Sequence, residues 1–580
     1  MIGFVEQLLR FASHIPTFHL NVQLLVDFAA TCEAQLDRWG ILEDVDIAIH
    51  YISEIVTNTS NGDHDKLQLA LSSLYRERAI YFGALDDLKS ATEHGPKPQA
   101  LNDTKHTSWP SKAIHAGRTY LAHGILLKDT VKAQGYLNKA TDLFEKVIAI
   151  GSGNIALLVY VCESLAWMCE LGHDAGAEPR LRRHLGSYLL TDILDQQNNP
   201  RVSTGKHIGR IGFCYLCLFK KGSNQKDLEN SIKYYNIVMN SKAIDKRHPC
   251  RCALLIGLGH AYLYKKQDKW AAHCFKTATL LEFAIPALRM DACFSWAKVP
   301  NIDLVEVYSN ALKIAPQLAG LEYALSHRVD NAKLLKNLVQ EATKAAIAGN
   351  DISLALMWAE QGRGIIVAQM LQLRIMFTHP GIPIIQHKEP ELADSLRRAT
   401  TSLHQLDALM GTMDVKSTRK LHRDGVRWNH LVRKIRASEK AQLGDFLCLS
   451  IEKILQLGRK RIIVIINAHG DGWDALMIRK GDNRPQHISL PTSNERFSSL
   501  RKDLFNAGLR ERRSGDGASG TTGSDNTSKV KGRAVKKIGA QPPPPPTPDS
   551  ILKIILVQLW NEVVHPILQE LGISVSTILP

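Results

Sequence analysis

Over the first 340 residues apolar side chains recur at helical spacing, and the pattern itself recurs. Asp44-Val45-Asp46-Ile47-Ala48 is echoed by Asp87-Leu88-Lys89-Ser90-Ala91, Tyr136-Leu137-Asn138-Lys139-Ala140, Asp227-Leu228-Glu229-Asn230-Ser231 and Asp268-Lys269-Trp270-Ala271-Ala272. With the small residue as marker, Ala48, Ala91, Ala140, Ser231 and Ala272 stand 43, 49, 91 and 41 positions apart, and the long interval leaves room for a weaker unit near Ser187. A period in the low to mid forties predicts an array of helical repeats. One such unit cannot cover its own apolar stripe, so neighbours must stack, and the stack leaves a concave groove.

A second element precedes three of the markers: Ala116-Gly117-Arg118-Thr119-Tyr120, Ile211-Gly212-Phe213-Cys214-Tyr215 and Leu258-Gly259-His260-Ala261-Tyr262. The glycine predicts a close approach between helices, and the aromatic one turn later fills the next gap. Together these resemble the Leu-Gly-x-x-Tyr stretch in the first helix of a tetratricopeptide (TPR) repeat, with the Asp-Leu-x-x-Ala element opening its second helix. The units are longer than the standard repeat of about 34 residues. The resemblance implies a protein or peptide ligand held in the repeat groove.

Between Ala284 and Arg374 the pattern changes. Trp296-Ala297, Tyr308 to Leu318 and Glu341 to Asn350 lead into Ala355-Leu356-Met357-Trp358-Ala359-Glu360-Gln361-Gly362-Arg363-Gly364 and close with Gln372-Leu373-Arg374. By its residues alone this is an amphipathic helix with a Glu360–Arg363 pair, worth a few tenths of a kcal/mol at a surface. The series resembles the helical lead-in of fungal CHAT domains, relatives of the caspase fold.

Glu389 to Leu457 is charged, with apolar residues at helical spacing, and predicts two antiparallel helices with Gly411 and Gly425 as candidate breaks. The period then switches. Arg461 to Asn467 is a β-branched run suited to a strand buried on both faces. Ala468 to Gly472 reads as a turn, Trp473 to Ile478 as a second strand and His487 to Pro491 as a third. The same order, ending in Leu-Pro, occurs in CHAT relatives, and the match extends over about Asn350 to Leu509. In that family the catalytic His and Cys lie downstream, so the resemblance implies a peptidase-like scaffold without its catalytic half. His469 and Asp471 invite a catalytic reading, but a peptidase of this class needs a thiolate beside its His. The nearest cysteine in sequence, Cys448, falls in an apolar helical stretch with nothing to lower its pKa. Both are read as polar turn residues.

Glu511 to Pro548 is low in complexity, with a Gly/Ser/Thr tract, the basic run Lys529 to Lys537 and Pro542 to Pro546, and is expected to be a disordered spacer. Beyond it, Ile551, Ile555, Leu559, Val563, Ile567 and Leu571 form one helical stripe, widened by Trp560 and Val564, that packs on the sheet. Pro566 kinks this helix or marks a new first turn.

Composition changes this picture little. The net charge of +15 suits a polyanion, but its excess lies largely in Lys416 to Lys440 and Arg510 to Lys537, neither of which interleaves aromatics as a base-stacking platform would. A nucleic-acid partner is therefore not expected. No apolar run of about 18 residues is present to span a bilayer, and no leader is convincing, so the cytoplasm or nucleus is expected. Ten cysteines, most of them single and in apolar helical stretches, imply no disulfides. Cys214/Cys217 and Cys250/Cys252 have spacings from which a four-thiolate zinc site can be imagined. The first pair lies mid-helix, however, and neither has a Gly-rich knuckle. No catalytic, cofactor-binding or metal-ligating residue is assigned, and no cofactor is expected.

The sequence thus reads as mostly α: a TPR-like α-solenoid over residues 1–340, then an incomplete caspase-like α/β domain. The first part of that domain covers 341–509, the disordered insert 510–549, and a helix with the start of the next strand 550–580. The function that follows is a non-catalytic binding or scaffold protein. The alternative is a CHAT-family cysteine peptidase whose catalytic half lies outside this chain.

Overall fold

The computed structural model describes residues 22–39, 43–56, 62–82, 85–187 and 202–318, a few isolated positions excepted. It further describes 325–362, 381–407, 415–440, 451–458, 461–493 and 548–573, with scattered positions around them. The predicted insert lies largely outside these residues. Helices dominate, and the chain divides into two compact units, Met1–Leu318 and Ala319–Pro580.

In the first unit, α1 (Val22–Trp39) and α2 (Glu43–Val56) pack on the first of a series of helical hairpins. Among the described residues these pair α3 (Gly62–Phe82) with α4 (Leu85–Glu93) and, after the short α5 (Pro98–Asn102), α6 (Trp109–Leu126) with α7 (Thr130–Val147). They continue as α8 (Ile155–Leu171) with α9 (Ala177–Ser187) and α10 (Val202–Gly222) with α11 (Gln225–Asn240). The last two pair α12 (Arg251–Tyr264) with α13 (Asp268–Thr279) and α14 (Pro286–Ala297) with α15 (Leu304–Leu318). The weaker unit expected near Ser187 is the α8–α9 hairpin, and the change of pattern after Ala284 does not interrupt the pairing.

Three of the hairpins share one lock. A Cβ on Gly117 would lie 2.6 Å from the Phe144 ring, one on Gly212 3.2 Å from Tyr235, and one on Gly259 2.6 Å from Phe275. Each ring thus packs on a backbone bared by glycine. Phe144 and Tyr235 stand four residues after the markers Ala140 and Ser231, on the same helical face. In the α12–α13 hairpin the same count from Phe275 falls on Ala271, which is fully buried, whereas Ala272 is only half-buried. The fifth marker is therefore Ala271, one residue before the position read from sequence. Ala48, Ala91, Ala140 and Ser231 are all fully buried, and Ser231 Oγ donates to the Gly212 carbonyl at 2.8 Å. The aromatics after the glycines also find partners: Tyr120 lies 5.9 Å from Tyr136, Tyr215 stacks on Tyr234 at 5.5 Å, and Tyr262 meets Trp270 at 6.2 Å.

In the second unit, α16 (Leu325–Ala348) and α17 (Ile352–Gly362) pack so closely that a Cβ on Gly362 would lie 2.0 Å from Val339. After α18 (Gly381–Lys388), the helices α19 (Pro390–Asp407) and α20 (Val415–Ala437) share a core of Leu392, Leu396 and Leu403 with Trp428, Leu431 and Ile435. Arg427, His430, Arg433 and Lys434 face water. The helix runs through Gly425, so that glycine is not a break, and Gly411 lies outside the described residues.

Past α21 (Ile451–Gly458), the strands β1 (Ile463–His469), β2 (Gly472–Ile478) and β3 (Gln486–Leu490) form an antiparallel sheet in that order. On one face Ala475, Met477 and Leu490 pack with Val563 and Ile567. These come from the helical segment of α22 (Pro548–Leu559), a π-turn at Trp560–Val564, and α23 (His565–Glu570), whose first turn carries Pro566. The stripe from Leu559 to Leu571 therefore covers the sheet as expected, but Trp560 and Val564 face solvent rather than widening it. The opposite face meets α16, where Asn467 Nδ2 donates to the Gln340 carbonyl at 3.2 Å. The run from Arg461 to Asn467 is not buried on both faces: among the described residues β1 lies at the edge of the sheet, and Ile462 and Ile466 are 45% and 41% exposed.

Candidate functional site

The first helices of four successive hairpins, α3, α6, α8 and α10, bring charged and aromatic side chains together. Arg76 on α3 is wholly buried. Its Nε and Nη2 donate to Glu77 Oε1 at 3.1 and 3.0 Å, and Nη2 also donates to Ser73 Oγ at 2.7 Å. Arg76 Nη1 is buried with no hydrogen-bond partner among the described residues. Glu33 on α1 lies 3.6 Å from Nη2. Across the next junction Arg118 Nη2 on α6 donates to the same Glu77 oxygen at 2.8 Å. Burial alone would raise the Glu77 carboxyl, but the charges of Arg76 and Arg118 hold it down at about 2. Burial lowers Arg76, and the charge of Arg118 lowers it further. Beside them, Ser72 Oγ donates to the Ala91 carbonyl at 2.5 Å, so His115 Nε2, 2.9 Å from that oxygen, is the donor there. Burial, then the fields of Arg76 and Arg118, push His115 well below its ordinary value, so it is neutral.

Tyr160 on α8 joins this group to α10. The Arg118 Cζ lies 5.8 Å and the Arg210 Cζ 5.2 Å from its ring centroid, distances at which each cation is drawn to the ring quadrupole. Phe144 stacks on the same ring at 5.6 Å, and His207 meets it edge-on at 6.3 Å. Arg210 Nε sits 2.9 Å from Glu163 Oε2, one turn beyond Tyr160. The Arg118 and Arg210 side chains remain 33% and 32% exposed. The second helices carry a series of paired charges: Arg180 to Glu145 at 2.8 Å, Arg182 to Asp227 at 2.9 Å and Lys276 to Glu306 at 2.5 Å.

A second polar group lies in the sheet. His469 is the last residue of β1 and buried, not a solvated turn residue. Its Nε2 donates to Asp474 Oδ2 at 2.9 Å, and His487 Nε2 on β3 donates to Oδ1 at 2.8 Å. Register brings them together: Asp474 faces Asn467 and Ser489, and His487 faces Leu476, so all share one face. Burial raises the Asp474 carboxyl, but the hydrogen bonds and charges of His487 and His469 outweigh it and hold the group below the ordinary carboxylate range. A depressed value means that this contribution to stability is present above the ordinary range and lost as pH falls through the folded value. Asp474→Asn is expected to cost about 2 kcal/mol at neutral pH. The gap in melting temperature to the native chain should narrow as pH is lowered below the ordinary carboxylate range; an unchanged gap would show that Asp474 is not the ionised centre.

The cysteines considered for zinc sit apart from such chemistry. Cys214 and Cys217 are buried in α10, with burial pushing both thiols well up. The Cys252 Sγ lies 3.6 Å from the Ala278 carbonyl, and its thiol is pushed up to about 12 by burial. Cys448 and Asp471 lie outside the described residues.

The arginine cluster was not read from the sequence, though a signal exists. His115 and Ser72 are 43 residues apart, Arg118 and Glu77 41, and Arg182 and Asp227 45. Polar partners thus recur at one repeat length.

No family model and no curated protein matches the chain. Among solved structures it is similar to the apo form of RapI, at 11% identity over 71% of this chain and 98% of that chain, with a TM-score of 0.27.

Proposed function

We propose that the chain is a non-catalytic binding protein whose stacked hairpins capture a protein or peptide segment along their first helices. In this reading the hairpins form a TPR-like solenoid, and the second unit is related to the CHAT peptidase domain. The observation that carries the reading is the Arg118–Tyr160–Arg210 group. It spans three successive hairpins, its two arginine side chains are each about one-third exposed, and it is held in place before any ligand arrives. Arginine and tyrosine are the residue types that dominate protein interfaces, because each combines apolar contact with directed hydrogen bonds. Support for the CHAT relationship is the strand, turn, strand and third-strand order, closing at Leu490-Pro491.

A peptide-display selection against the full chain tests the reading. The expected result is a family of binders that compete with one another and weaken about tenfold or more on Arg118→Ala or Arg210→Ala, the loss of one charge-assisted contact. Saturable binders indifferent to both substitutions, or no binders, would overturn it.

A further inference from the structure

We propose that Arg118 and Arg210, seated together on Tyr160, receive a carboxylate of the captured segment. This rests on the binding role proposed above and names the chemistry of its ligand. Three features carry it. First, the neighbourhood is rich in cations: among the described residues Arg76, Arg118, Arg210 and Lys206 lie near Glu77 and Glu163, and Glu33 lies behind Arg76 on α1. Second, a guanidinium carries five N–H donors in a fixed fork that matches a carboxylate. Glu163 Oε2 approaches the Nε side of Arg210, at 2.9 Å. Third, Tyr160 and the two glutamates hold both guanidiniums in place in advance, so little side-chain entropy remains to be lost on binding. Phe144 and His207 around the ring keep the site partly apolar, which strengthens an ionic contact. A role confined to tying the hairpins together would leave the arginines important for stability and silent toward ligands.

The test uses the full chain, immobilised, and short degenerate peptides carrying a fixed central Glu or Gln, each made with a free or an amidated C-terminus. Preferential retention of Glu over Gln in the amidated pools by about tenfold identifies a side-chain carboxylate as the ligand. Preferential retention of free over amidated termini in the Gln pools identifies the chain terminus. Either preference should disappear in Arg118→Gln and Arg210→Gln and persist in Lys276→Gln, which removes the same charge from the second-helix surface. Arg210→Lys keeps the charge and the Glu163 pair but loses the fork, and should lose the preference several-fold even if the Gln variants fold poorly. Equal retention of all four pools overturns the carboxylate assignment while leaving the binding role standing. A preference lost equally in Lys276→Gln also overturns it, as general attraction to a basic chain. Retention of no pool overturns both.

Discussion

Glu77→Gln is expected to destabilise the first unit by about 3–5 kcal/mol, the usual cost of stranding a buried charge. Glu77 is the carboxylate on which the fully buried Arg76 and the partly exposed Arg118 both converge. Without it two guanidiniums face one another, with Glu33, at 3.6 Å from Arg76, left as a partial offset. That residual partner places the effect toward the lower end of the range. The dependence on acidity has a definite sign. The Glu77 carboxyl is held at about 2, below its unfolded value of about 4.3. Its contribution is therefore complete above about pH 5 and disappears as pH falls toward 2. Urea unfolding followed by circular dichroism at pH 7 and pH 3 should show a large gap between native chain and variant that narrows in acid. A loss under about 1 kcal/mol at pH 7 would mean that water reaches the pair and the charges are solvated. Replacing Arg76 with Met in the same chain should recover part of the loss, because an apolar side chain needs no counter-charge.

Gly117→Ala and Gly259→Ala are expected to lower the urea midpoint by the equivalent of about 1–3 kcal/mol each, while Gly135→Ala raises it by about 0.5–1 kcal/mol. All three lie inside helices, so alanine brings the same gain in backbone propensity. The difference is what the new methyl meets. At Gly117 and Gly259 it would stand 2.6 Å from a buried Phe ring; at Gly135 nothing lies within 4 Å. Gly212→Ala, at 3.2 Å from Tyr235, should fall between them. If all four moved stability the same way, the ring-on-glycine lock would not be the element that fixes hairpin spacing.

This lock is also why the helical array is legible without coordinates. Gly212 and Tyr235, or Gly259 and Phe275, fall within one hairpin, and each ring stands four residues after a buried small residue, so a local pattern encodes a contact. Only the phase slipped, at Ala272, because two alanines stand side by side and sequence alone cannot say which faces the core. The arginine cluster was missed for the opposite reason. Arg118 and Glu77 lie on different hairpins, and neither residue is unusual within its own helix. His469 was misread because a His-Gly-Asp-Gly stretch has turn composition; its burial depends on Asp474 and His487 across two strands. The exposed Ile462 and Ile466 were expected inside because a β-branched run is the same on an edge strand as in the middle of a sheet.

The separation of the sheet from its covering helix has a consequence during synthesis. Leu490 ends β3, and Val563, which packs on Ala475 and Met477, is encoded 73 residues later. At about 5–20 residues per second the ribosome leaves that apolar face without its cover for about 4–15 seconds. The hairpins of the first unit close from neighbours already made. The nascent second unit is thus where chaperone occupancy should concentrate, and the low-complexity stretch between Leu490 and Val563 sets how long that window stays open.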